Sequence, residues 1–416
     1  MVHHSRRLTG AMLLALTAAC SDPTANDKQP SPITALPRQL SSAEQAIAQS
    51  TPDFAIGLLR AVNPAFADRN VFTSPLSASM ALGMTLNGAA GTTFSEMRSA
   101  LGLPDRPVAE LNAGYQALIA LLRGLDPTVD FRIANSIWYE QTFGQFIEPA
   151  FLTATRTAFG AEVAGLNFRS PQAVGTINAW VNTGTNGKIT SIVDEIPDEM
   201  VMYLVNATYF KGAWRDAFDP KKTASASFTT HTGAQVSAPT MTRKGGFRAG
   251  TVAGTTVVEL PYGGDAFVMT IAMPAQGTHI NAFVAGLTPA TWASFTSGTT
   301  AATFDLYLPK FKLTWDSMLN DALKSMGMRQ AFVEGGADFT ALSRTKGTEL
   351  FVSEVRQKTF VDVNEEGTEA AAVTSVGVGI TSLPPTFRID RPFVFAIREK
   401  LTGTVLFLGK IVNPTA

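Results

Sequence analysis

Cysteine is nearly absent from this chain: Cys20 is the only one in 416 residues. No intramolecular disulfide can form. Histidine is almost as scarce, because His3 and His4 lie in the first few residues and only His231 and His279 remain. A serine hydrolase needs a base beside its nucleophile. His231 follows Thr229-Thr230 and His279 follows Gly277-Thr278, so both read as solvated loop residues rather than catalytic bases. No Gly-x-Ser-x-Gly elbow and no His-Glu-x-x-His helix is present. Two histidines and a single thiol leave no ligand set for structural zinc, so no metal is expected. No cofactor is expected either. Gly83, Gly88 and Gly91 suit close helix packing, and no Gly-Lys-Ser/Thr follows them to hold phosphate.

Charge is sparse as well. Charged residues make up 16% of the chain, the net charge is -1, and no run of Lys and Arg exceeds two residues. A basic face for nucleic acid is therefore not expected. Apolar residues reach 45%, enough for a large core and too many for a disordered chain. The one long apolar run, Leu8 to Ala19, is too short to span a bilayer as a mature helix. It follows Arg6-Arg7 and ends in Leu16-Thr17-Ala18-Ala19-Cys20. This order resembles a bacterial lipoprotein signal over residues 1–19, with Thr17 where Leu is usual. That resemblance implies lipidation of Cys20 and a place at the cell envelope, facing periplasm or exterior. An ordinary secretory signal cut after Ala19 is the alternative. Residues 20–42 hold four prolines and much Ser and Thr, a composition that suits an extended, disordered tether.

From residue 43 onward the pattern is that of one mixed α/β domain, with no internal repeat and no linker. Ser42 is placed to cap a first helix, with Gln45 three positions on. Asn70-Val71-Phe72-Thr73-Ser74-Pro75-Leu76-Ser77 leads into a small-residue helix reaching Leu86, with Ser77 at its opening. Phe131 to Trp138 and Met202 to Trp214 read as buried strands, and Met318 to Met328 reads as a helix. Phe393 to Ile397 and Val405 to Gly409 read as a closing hairpin.

The most informative stretch is Glu365-Glu366-Gly367-Thr368-Glu369-Ala370-Ala371-Ala372-Val373-Thr374, running on to Pro384-Pro385. Ala-Ala-Ala favours helix, whereas Val373 to Val376 favours strand. At period two, Thr368, Ala370, Ala372, Thr374, Val376 and Val378 share one face of small or β-branched residues. The pattern reads as that of a spare strand, exposed as a loop and able to enter a sheet.

Asn364 to Ala372 resembles the reactive-loop hinge of the serpins, the serine-protease inhibitors. Phe387-Arg388-Ile389-Asp390-Arg391-Pro392-Phe393 resembles the closing signature that follows that loop, and Asn70 to Ser77 resembles the opening of the family's central helix. The resemblance extends from Ser42 to Pro414. It implies three β-sheets with about eight or nine helices. It also implies a monomer that irreversibly inhibits a serine protease, with a cysteine protease as the other target class, by forming a covalent acyl-enzyme complex. A non-inhibitory serpin acting as a surface binding protein is the alternative. The scissile bond falls about fourteen residues after Gly367, at Thr381-Ser382. Thr381 suits the shallow pockets of elastase-like or subtilisin-like enzymes. By the same resemblance Ser77, Asn206 and Gln357 form the shutter of the main sheet, with Gln where the family has histidine. Trp214 marks the breach where insertion begins, and Lys310 pairs with Glu365. Heparin activation is not implied, because the matching region around Thr85 to Ala113 carries only Arg98 and Arg106 as basic residues.

Overall fold

A computed structural model describes residue 1, residues 30–368 and residues 385–416. Among these, nine α-helices surround two hydrogen-bonded sheets. The smaller sheet has six strands in the order Phe311–Met318, Arg356–Val363, Gly367–Thr368, Met202–Ala213, Val129–Glu140 and Glu162–Leu166. The larger has nine. The expectation of three sheets meets a continuous ladder here, because one 18-residue strand, Gln235–Val252, spans both parts. Its first residues pair with Ala224–Thr229, its middle with Thr300–Pro309 and its last residues with Thr255–Pro261. A strand that long bends and twists, so one backbone serves two layers.

The helix Pro75–Leu86 lies behind the six-stranded sheet and is buried along almost its whole length. Small residues, among them Ser77, Ala78 and Gly83, let the sheet and neighbouring aromatic rings approach it closely. A Cβ on Gly83 would sit 3.2 Å from the Phe159 and Tyr115 rings. The helix is capped by Ser74, whose hydroxyl accepts the Ser77 N–H. Ser77 is therefore inside the first turn rather than at its opening, and its own hydroxyl is free to face the sheet. The first helix, Ser42–Val62, is likewise capped one residue earlier than its pattern suggests. Ser41 and Glu44 form a reciprocal capping box there. Residues 30–41, expected to continue the tether, lie against the body, with Ile33, Leu36 and Leu40 packed on the core.

Other elements fall close to their expected places. The predicted helix from Met318 to Met328 is shorter, Asn320–Ser325, because Met318 ends the preceding strand. The closing hairpin, Phe393–Glu399 with Val405–Ile411, is fully buried. On the far face of the six-stranded sheet, the helix Gln172–Gly184 places Ile177 and Val181 against Trp138, Val205 and Ala207 in a second core. The strand Met202–Ala213 is thus covered on both faces, which explains why its sequence reads as a nearly continuous apolar run.

Candidate functional site

The hinge occupies a place that only two strands could give it. Gly367 pairs with Ala213, and Thr368 pairs with Gly212 on one side and Val363 on the other. Among the described residues, this short strand is what joins Arg356–Val363 to Met202–Ala213, and no rung links those two strands directly. Gly367 has φ +151°, a value that favours glycine. A Cβ there would come 2.2 Å from the Gly212 carbonyl oxygen and 2.8 Å from the Ala213 Cα. Thr368 is buried, and its hydroxyl is 2.8 Å from the Tyr262 hydroxyl.

The turn before the hinge is fixed from several directions. The Trp214 indole N–H donates to the Asn364 carbonyl at 2.9 Å, and its ring stacks on Tyr262 at 4.6 Å. The Trp214 and Phe218 backbone N–H groups donate to the Glu366 and Glu365 carbonyls at 2.9 and 2.8 Å. Lys310 Nζ lies 2.7 Å from Glu365 Oε2, and the Thr223 hydroxyl donates to Glu365 Oε1, also at 2.7 Å. Burial pushes the Glu365 carboxyl up, but the Lys310 ammonium and Thr223 hydroxyl outweigh it and hold the group below its ordinary value. The Glu366 N–H donates to the Asn364 side chain at 3.0 Å.

Farther along the slot, Ser77 donates to the Asn206 side-chain carbonyl, and Thr208 donates to the same atom at 2.8 Å. The Asn206 amide donates to Asn135 at 2.5 Å, and Asn135 in turn donates to the Phe159 carbonyl at 2.6 Å. Gln357 lies on the opposite strand and takes different partners. It accepts the Ser74 N–H at 2.9 Å and donates to the Ser74 carbonyl at 2.8 Å. The three residues grouped by resemblance therefore divide into two anchors, both on the central helix. Between the strands opens a cavity of about 800 Å³ whose lining includes Ser77, Ala81, Leu204, Asn206 and Gln357.

Reasoning from sequence missed Tyr262, Asn135 and Thr223. Tyr262 carried a signal, since a tyrosine inside an apolar run needs a partner for its hydroxyl. The other two carried none. His279 is exposed, as expected, and caps a short helix, whereas His231 is largely covered, with Nε2 3.3 Å from Asp68. Arg98 pairs with Asp105 and Arg106 with Glu110. No group of metal-ligating residues occurs among the described residues, and no described helix is long and apolar enough to cross a membrane. Glu369, Ala370, Ala371 and Ala372, the Thr381-Ser382 bond and Cys20 lie outside the described residues.

Among the described residues, the six-stranded sheet is joined across one seam only by the short strand Gly367–Thr368. Residues 49–414 match the family model described as serpin, serine protease inhibitor. The chain is 35% identical to serpin B8 of Bos taurus over 89% of its length and all of the relative's. It is 34% identical to iripin-8 of Ixodes ricinus over 90% of its length and 95% of the relative's. Among solved structures, the thermophilic serpin tengpin in its native state superposes with a TM-score of 0.79 at 29% identity, covering 92% of this chain and 97% of that one. Human thyroxine-binding globulin complexed with thyroxine gives 0.81 at 30% identity, covering 90% and 100%. The chain belongs to the serpin family, whose members are typically protease inhibitors; some are non-inhibitory.

Proposed function

We propose that this serpin is a suicide-substrate inhibitor of elastase-like or subtilisin-like serine proteases, with Thr381-Ser382 as bait. One observation carries the reading: the two registers at Thr368 converge. Continued past Gly212, the loop brings Thr374 level with Asn206; continued past Val363, it brings Thr374 level with Gln357. Ala370 and Ala372 fall on the same inward face, opposite Phe210 and Val361, then Thr208 and Thr359. Each is small enough for a slot whose floor is the central helix.

The chemistry follows from ordinary acyl transfer. The protease serine attacks the Thr381 carbonyl, the Thr381-Ser382 peptide bond breaks, and the Ser382 amine leaves with a proton while an ester holds the protease. The freed strand then adds rungs to both edges and buries its small face. Fourteen residues of strand reach about 45 Å, so the bound enzyme is carried along the sheet. Distorting its oxyanion hole slows release by a factor of about a hundred or more. The uncut state is held kinetically rather than at equilibrium. We further propose that Cys20 is lipidated and holds the domain at the envelope surface. Cys20→Ser would then release soluble, active protein.

Incubation with pancreatic elastase, subtilisin and trypsin tests the reading. An SDS-stable complex with the first two and none with trypsin is expected, and Thr381→Arg should move complex formation to trypsin. Thr368→Arg should leave clean cleavage without complex, since an unpaired charge cannot enter the seam. Cleavage without complex by the unaltered chain would instead favour a non-inhibitory binding protein.

A further inference from the structure

Residues 30–41 precede the stretch that the family model matches, which begins at residue 49. They are nonetheless fastened to the body at both ends. At one end the Arg38 guanidinium grips Glu44, with contacts of 2.8 and 2.5 Å, and reaches the Ala117 carbonyl at 3.4 Å. At the other, the Ile33 N–H donates to the Gly264 carbonyl at 2.7 Å. Leu36 and Leu40 pack on the core between them.

Gly264 belongs to a tight turn, Tyr262 to Asp265, with φ +40° at Gly263 and +68° at Asp265. The turn is wedged. A Cβ on Gly263 would fall 1.8 Å from Thr128 Oγ1, and one on Gly264 would fall 2.9 Å from both Asp126 and the Ile33 Cδ1. Asp126 also accepts the Gly264 N–H at 2.8 Å. The other side of the same turn holds the hinge. The Gly263 N–H donates to the Ala213 carbonyl at 2.9 Å, and Ala213 is the residue paired with Gly367. The Tyr262 hydroxyl meets that of Thr368.

Ile33 and Gly367 are therefore linked by an unbroken series of backbone rungs through one turn that has little room to shift. We propose that residues 30–41 form a strap that holds this turn in place and, through it, keeps the breach closed. Loosening the strap frees Gly263 from Ala213 and weakens the rung on which Thr368 rests. Whatever pulls on or displaces the chain ahead of Ile33 thereby sets how readily the seam opens. The consequence for loop entry rests on the inhibitory reading above; the effect on the hinge does not.

Ile33→Pro in the full chain removes the N–H donor while keeping an apolar residue, and Ile33→Ala removes the side-chain wedge. Thr34→Ala, at an exposed neighbour, is the control. Hydrogen exchange at the Asn364 and Trp214 amides, both bonded within the hinge, is expected to speed up about fivefold in either variant and not in the control. Spontaneous loss of inhibitory activity without protease should accelerate by a similar factor. Faster exchange at Gly264 with unchanged exchange at Asn364 and Trp214 would overturn the proposal, because the strap would then be loose and the hinge indifferent. Faster hinge exchange in a chain that inhibits no protease would uphold the strap and sink the inhibitory reading.

Discussion

Gly367 and Glu365 do most to fix the hinge at the scale of single residues. Gly367 is held at positive φ against the Gly212 carbonyl. Gly367→Ala is expected to cost about 1–3 kcal/mol locally and to accelerate exchange at the Trp214 amide without a comparable change in the global unfolding midpoint. An unchanged hinge would mean that the backbone relaxes freely there. Glu365 lies below its ordinary carboxylate value, so it binds protons more readily unfolded than folded. Its contribution is fully present above pH 4.5, its ordinary value, and is lost as pH falls through the lowered folded value. Lys310 is more than a third exposed, so the pair is worth no more than about 1 kcal/mol. Lys310→Met removes one of the groups opposing burial. The acid-induced rise in hinge exchange should then begin at higher pH than in the unaltered chain, which a pH series at the Asn364 amide would show.

At the scale of elements, the strand Met202–Ala213 and the helix Pro75–Leu86 are tied by Asn206. Asn206→Ala leaves Ser77 and Asn135 without their partner and is expected to lower stability by about 1–3 kcal/mol, read from the urea midpoint. Ser77→Ala and Asn206→Ala should couple by about 1 kcal/mol in a double-mutant cycle, since each removes one shared bond. Gln357→Ala should be nearly additive with Asn206→Ala, because Gln357 bonds the Ser74 backbone instead. Equal coupling among all three would restore a single shutter network.

The described residues combine a large, tightly packed core with a seam beyond Gly367–Thr368. If the loop enters that seam as proposed, it adds on the order of a dozen strand hydrogen bonds and buries several small side chains, together about 10 kcal/mol. Loop-cleaved protein is therefore expected to melt at least about 10 °C above the intact chain, measured by calorimetry after limited subtilisin digestion. Equal melting temperatures would show that the loop does not enter the sheet. Lys410 adds a second test at this scale. Burial lowers its pKa to about 8, against the pull of Asp68. The unfolded chain therefore holds more protons than the folded one between about pH 8 and 10.5, and stability from this group rises with pH across that window. The difference in unfolding free energy between the unaltered chain and Lys410→Met should grow in favour of the unaltered chain there.

The sequence alone determined the features written in local pattern: the small-residue alternation after Gly367, the apolar strands and the helix behind Ser74-Pro75. These are legible because residue size, periodicity and charge act over a few positions. The tertiary structure decided which groups meet across distant elements. It joined Tyr262 to Thr368, sent Asn206 to Asn135 and Gln357 to the Ser74 backbone, and drew Ile33 against Gly264. Each of those contacts depends on how strands 50 to several hundred residues apart come into register, and a hydrogen bond with a reach of about 3 Å leaves no trace in the spacing of its partners along the chain.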